Sequence, residues 1–182
     1  MSPLQTIEPA SATGRAKELL DAVQASLGLI PNMTKAMASS PAVLEGYLGL
    51  SGSLGKTLTP QLREQIALVV AEENGCRYCL SAHTALAGLA GLTEADLHAS
   101  REARSEDGRT DAALKFARVV NANRGGVSEE SLARVRAAGF SDSEIAEIVG
   151  HVALNVFTNY FNKVAETPID FPVVEPRLAR AA

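Results

Sequence analysis

From Gly14 to Ala165 the apolar residues recur three and four positions apart on a background of Ala, Leu, Glu and Arg, and no stretch alternates apolar with polar between hairpin turns. A recurrence near 3.6 gathers side chains on one helix face, whereas a half-buried strand needs a period of two. The chain is therefore expected to be essentially all-α. Proline and glycine punctuation sets the expected helices at residues 14–25, 41–54, 60–73, 76–89, 94–99, 112–121, 129–138 and 142–165, with a short turn after Pro31-Asn32. Cap residues mark several starts: Thr59 stands before Pro60, Thr93 before Glu94, Ser128 before two glutamates, and Ser141 with Glu144 forms a capping box.

One domain spanning residues 1–182 is the economical organisation, since no solenoid repeat or low-complexity linker interrupts the chain. Residues 1–12 are expected to be flexible. Residues 167–182 carry Pro168, Pro172 and Pro176 among Ile169, Phe171, Val173 and Val174, so this tail should run extended over an apolar surface, which a neighbouring subunit could supply. A net charge of −4 without basic clusters argues against nucleic acid as a partner. No signal-like start and no membrane-length apolar run is present, which gives the expectation of a cytoplasmic protein without membrane contact.

Chemistry concentrates in one segment, Asn74-Gly75-Cys76-Arg77-Tyr78-Cys79-Leu80-Ser81-Ala82-His83, which holds both cysteines. On a helix, Cys76, Cys79 and His83 share a face, and two thiols beside an imidazole suit thiol redox work. Asn74-Gly75 stops the preceding helix and makes an antiparallel hairpin, in which Glu64 comes level with His83 to within about one turn, ~5 Å of rise. Glu64 is thus a candidate partner for His83, against the alternative of a first-turn glutamate facing water. Lowering a thiol pKa from about 8.5 to about 6.5 needs roughly 2.7 kcal/mol. A helix N-terminus supplies ~0.3–1 kcal/mol and at most ~2, so a second group must help, and His83 is placed to do so. Cys76 gains more from the helix start and Cys79 more from His83; spacing alone does not choose the nucleophile. Tyr78 points to another face, where packing is its commoner use, although an irregular first turn would let its hydroxyl hold a relay water.

Other residues receive plainer readings. His98 is an exposed surface histidine. Glu72 and Glu73 sit at a helix C-terminus, the unfavourable end for negative charge. His151, Asn155, Asn159 and Asn162 recur along the last helix as a stripe expected to face solvent, with a polar cavity as the alternative. Zinc held by Cys76, Cys79 and His83, with His151 as a fourth ligand, is a second class of function, although one helical row offers at most three ligands.

The run from Arg63-Glu64-Gln65-Ile66 to Asn74-Gly75-Cys76-x-Tyr78-Cys79-x-x-x-His83 resembles the core of the alkyl hydroperoxidase D-like (AhpD-like) family, in the carboxymuconolactone decarboxylase superfamily. The segments His151 to Asn155, Thr158-Asn159-Tyr160-Phe161-Asn162 and Ile169-Asp170-Phe171-Pro172 resemble its peroxidase-related branch, so the likeness runs from about Pro31 to Pro172. The resemblance implies an all-helical fold, assembly as a trimer or hexamer, and a thiol-dependent peroxidase or disulfide oxidoreductase that needs no metal or organic cofactor. It implies hydroperoxide as substrate and a dithiol as electron donor. Cys79 would be the peroxidatic thiol, Cys76 the resolving thiol, and Glu64 and His83 the proton relay. Tyr78 stands where the best-known members have a relay histidine. The superfamily's decarboxylases generally lack the cysteine pair, which argues against a lyase. A stress-response protein that keeps the fold without turnover is the remaining alternative.

Overall fold

The computed structural model describes residues 4–177, and no strand forms among them. A 3-10 turn at Pro9–Ser11 leads into α1 (Gly14–Leu27), α2 (Asn32–Met37), α3 (Pro41–Leu54), α4 (Pro60–Glu73), α5 (Arg77–Leu89), α6 (Glu94–Arg101), α7 (Gly108–Ala122), α8 (Glu129–Ala137) and α9 (Asp142–Ala165). The all-α expectation holds, and the cap residues act as expected. Thr59 Oγ1 accepts the Leu62 N–H at 3.2 Å, and Ser141 and Glu144 close a reciprocal capping box. The Ser141 N–H and the Arg109 guanidinium together hold the Glu144 carboxyl down to about 2.

Two elements differ from the sequence expectation. Helix α7 starts at Gly108, four residues ahead of the expected start, because the Asp107 carboxylate caps it by accepting the Thr110 N–H. The expected turn after Pro31 is a helix, α2, whose first N–H, from Asn32, donates to Asp170 Oδ2 at 2.7 Å. Its cap is therefore supplied by the tail.

Helix α4 is a partition. Every residue from Gln65 to Glu72 is buried, as expected for a helix with protein on all sides. Leu68 and Ala71 face an apolar cluster with Leu20, Met37, Leu44 and Leu80, while Ile66, Val69 and Val70 face a second one with Leu114, Phe116, Val135 and Ile148. Each such aliphatic side chain contributes about 1.5–3 kcal/mol on burial. At its C-terminal end, Gly75 takes φ +61 and the Cys76 N–H returns to Ala71 O at 2.9 Å, which turns the chain back into α5.

The tail does run extended, and its own chain supplies an apolar surface for it. Ile169, Phe171 and Val174 pack on the cluster around α5. Phe171 meets Tyr78 edge-on with ring centroids 5.8 Å apart, and the Val174 N–H donates to Ser81 Oγ at 2.9 Å. The Arg177 N–H donates to Glu72 at 2.6 Å, and Arg101 Nε reaches the other Glu72 oxygen at 2.6 Å. Arg101 thus answers the unfavourable placement of Glu72 at its helix end. Of the segment expected to be flexible, Ile7 donates its N–H to Lys35 O at 3.0 Å and Ala12 is buried; residues 1–3, like tail residues 178–182, lie outside the described range.

Helix α9 overturns the solvated-stripe expectation. His151, Asn155, Asn159 and Asn162 are all buried, whereas Val149, Ala153, Phe157, Tyr160 and Val164 are exposed. At 3.6 residues per turn the exposed set falls within about 80° of arc, on the other side of the helix from the polar stripe. The buried face of the helix thus mixes this polar stripe with Ile145, Ile148 and Val152, while the exposed arc is apolar. Amide pairing makes this tolerable, since Asn74 Nδ2 donates to Asn159 Oδ1 at 3.1 Å and Asn121 Nδ2 to Asn74 Oδ1 at 3.2 Å.

Candidate active site

The α4–α5 hairpin sets the geometry. Cys76 is the N-cap of α5, its sulfur accepting the Cys79 N–H at 3.3 Å, and the two cysteines are joined as a disulfide with Cα atoms 5.3 Å apart. Both are buried. His83 follows Cys79 by four residues on the same face of α5, and its Nδ1 lies 2.8 Å from Glu64 Oε2 on α4. The expected pairing across the hairpin is present. With side chains only 20% and 23% exposed, Glu64 and His83 form a part-buried pair, and the water-facing glutamate is ruled out.

Tyr78 lies elsewhere. Its hydroxyl donates to the Asp170 carboxylate and accepts the Met33 N–H at 3.4 Å, and burial followed by the Asp170 charge pushes its pKa well up. The phenol is a pin between α5, α2 and the tail, and neither Met33 nor Asp170 belongs to the Glu64–His83 pair. His98 is exposed, as expected, with Arg177 against its ring.

Three features escaped the sequence reading. Asn162 Nδ2 donates to Cys79 Sγ at 3.3 Å and to Met33 Sδ at 3.1 Å, while its Oδ1 is buried with no partner among the described atoms. Tyr47 on α3 lies close enough to feel the Glu64 charge; burial pushes its phenol up, against a hydrogen bond with Ser51. His151 Nε2 lies 3.3 Å from Thr57 Oγ1, and burial followed by the Arg63 charge lowers its pKa, so it is neutral near pH 7. The periodic asparagines were the only signal for Asn162. For Tyr47 there was none, because its approach to Glu64 depends on how α3 packs.

The arrangement supports thiol–disulfide chemistry, with donors at both sulfurs and an acid–base pair one turn away. Among the described residues no group of three or more His, Cys, Asp or Glu side chains is placed to hold a metal ion. His83 is turned to Glu64 and His151 to Thr57, so the alternative zinc set is not assembled.

Residues 41–122 match the model of the carboxymuconolactone decarboxylase family. No curated protein matches the sequence. Among solved structures, the alkylhydroperoxidase AhpD core of a peroxidase-related protein from Ralstonia eutropha JMP134 superposes with a TM-score of 0.83 at 22% identity, covering 93% of this chain and 92% of that one. A peroxidase-related protein from Silicibacter sp. TM1040 gives 0.77 at 23% identity, over 92% of this chain and 94% of that one. A variant of the debrominase Bmp8 in complex with 2,3,4-tribromopyrrole gives 0.78 at 19% identity, over 93% and 92%. The AhpD-like fold is thus shared across nearly the whole chain.

Proposed function

We propose that the protein is a thiol-dependent peroxidase of the carboxymuconolactone decarboxylase superfamily, one that reduces hydroperoxides through Cys76 and Cys79. The observation that carries the reading is the Glu64–His83 pair at 2.8 Å, set one turn from Cys79 beside the Cys76–Cys79 disulfide.

In the reduced pair His83 takes the Cys79 proton, and Glu64 balances the imidazolium. The thiolate attacks one peroxide oxygen, so that an S–O bond forms and the O–O bond breaks. The departing oxygen takes the proton back from His83 and leaves as an alcohol or water, and Cys79 becomes a sulfenic acid. Cys76 then attacks the Cys79 sulfur; the S–S bond forms, the S–O bond breaks, and water leaves. A dithiol donor returns two electrons and two protons to reopen the disulfide. Asn162 favours Cys79 as the attacking thiol, because its amide donates to that sulfur.

Peroxide consumption across dithiol donors, run on the wild type and on Cys79→Ser and Cys76→Ser, tests the mechanism. Full turnover by Cys79→Ser sinks it. A second reading is reductive debromination, favoured by the likeness to the debrominase over 93% of this chain; bromide release from 2,3,4-tribromopyrrole by the reduced protein decides between the two. Lyase activity on a lactone is the reading the cysteine pair disfavours, and a non-catalytic module would leave both thiols free after exposure to peroxide.

The outward apolar stripe of α9 is the surface by which we expect the chain to associate as a trimer or hexamer. Light scattering on Phe157→Glu, which should lower the mass to that of a single chain, checks this. Among the described residues no helix is long and apolar enough to cross a membrane.

A further inference from the structure

Asn162 holds two sulfurs, and the peroxide chemistry uses only one of them. Its Nδ2 lies 3.3 Å from Cys79 Sγ and 3.1 Å from Met33 Sδ. A thioether carries no proton and can only accept, so the group facing it is the NH₂ end of the amide. With both sulfurs in reach of one nitrogen, Met33 Sδ is a close neighbour of the thiol that attacks peroxide. Its place is fixed from two directions: the Met33 N–H donates to the Tyr78 hydroxyl oxygen at 3.4 Å, and one residue earlier the Asn32 N–H is held by Asp170. Met33 is 9% exposed against 3% for Cys79, so burial shields the thioether no better than the thiol.

We propose that Met33 is an oxidation site, converted to its sulfoxide by the hydroperoxide that Cys79 reduces, and that the sulfoxide draws Asn162 away from Cys79 and so slows the enzyme when peroxide is in excess. The oxidant is the substrate of the peroxidase reading, on which this role rests. Met33 Sδ gives an electron pair to one peroxide oxygen. An S–O bond forms, the O–O bond breaks, the proton on the transferred oxygen passes to the departing one, and that oxygen leaves as water or an alcohol. The sulfur loses two electrons and the peroxide gains them, with no further reactant. A thioether is a poorer nucleophile than a thiolate, so Met33 is spared until peroxide outpaces the thiols. Thioether sulfur is a weak acceptor and the sulfoxide is polar, so the amide N–H turns to the new oxygen. Space forces the same movement. An N–H···O bond takes about 2.9 Å by itself, nearly the whole 3.1 Å between Nδ2 and Sδ, and an oxygen placed there drives the amide back. The contact with Cys79, already 3.3 Å long, is the one it gives up.

The test starts from the disulfide form, in which neither cysteine offers peroxide a thiol. The protein is incubated with hydrogen peroxide, reduced, and alkylated with iodoacetamide over a range of pH. Tryptic cleavage after Lys35, Lys56 and Arg77 then puts Met33, Met37, Cys76 and Cys79 on separate peptides for mass spectrometry. Met33 should gain one oxygen at least about fivefold faster than Met37, which is 0% exposed in the same apolar cluster. As Met33 is oxidised, the Cys79 alkylation inflection should rise by about one unit, the shift expected for loss of the Asn162 donor. Met33→Leu, a volume-conserving swap that leaves no thioether at this position, should hold its inflection through the same treatment to within about a fifth of a unit. Oxidation of Met33 no faster than that of Met37 overturns the proposal. So does a Met33 sulfoxide that leaves the Cys79 inflection in place, and so does a Met33→Leu inflection that rises as far as that of wild type. A reduced protein that fails to consume peroxide refutes the peroxidase reading, whereas the oxidation of Met33 and the Cys79 inflection are read without turnover and still decide the role of Met33.

Discussion

Replacing Asn162 with alanine removes the side-chain amide that donates to Cys79 Sγ, the sulfur proposed to attack the peroxide. Its Nδ2 is 3.3 Å from Cys79 Sγ, and the residue is 3% exposed, so water is poorly placed to substitute. A hydrogen bond to a charged group contributes about 1.5–3 kcal/mol. Sulfur is a weak acceptor, and the same amide nitrogen also lies 3.1 Å from Met33 Sδ, which places the effect at the low end of that range. At about 1.4 kcal/mol per pKa unit, the Cys79 thiol should rise by about one unit, cutting the thiolate present at neutral pH by up to about tenfold. The assay is the pH dependence of iodoacetamide alkylation in a Cys76→Ser background, with and without Asn162→Ala. An inflection that moves by less than about a fifth of a unit, or moves downward, refutes the donor role. Asn162→Asp should raise the inflection further, because a carboxylate in that position repels the thiolate.

Three further outcomes are expected. Glu64→Gln leaves His83 without a charged partner and should lower peroxide turnover roughly a hundredfold, read by steady-state peroxide consumption, with disulfide reduction by dithiothreitol unchanged. Glu72→Ala strands the Arg101 guanidinium, 11% exposed, inside the fold, and the loss of one partner of a buried pair costs about 3–5 kcal/mol; the midpoint of thermal unfolding should fall on the order of 10 °C. His151 has a lowered pKa in the folded state, so the unfolded chain takes up its proton first as pH falls below about 6.5; stability is complete above that pH and declines below it, and His151→Gln should flatten the fall in melting temperature between about pH 7.5 and 5.5.

What the sequence disclosed was what is local. Helices α3, α4 and α9 begin and end where proline, cap residues and Asn74-Gly75 place them, and Glu64 meets His83 because a tight hairpin leaves little choice of neighbour. What it concealed depends on residues far apart in the chain. The cap on α2 comes from Asp170, and no window around Asn32 contains it. The stripe on α9 was misjudged because four polar side chains on one helix face ordinarily meet water. Here Asn74, Asn121 and Asn159 meet one another instead, from three different parts of the fold. Asp107 is a local cap, yet the helix it starts opens with Gly108, a poor helix former, and not with an apolar residue.

The tail also has a consequence for the order in which the protein becomes whole. Asp170 caps α2, Phe171 closes over Tyr78, Val174 is tied to Ser81, and Arg177 is tied to Glu72. Each contact joins a residue of the tail to one synthesised earlier, while chains begin folding from the N-terminus as they emerge. Both cysteines therefore leave the ribosome well before the residues that wall them in. During that interval the two thiols are covered by less of the protein than at any later time, and their cover is completed only when residues 170–177 pack.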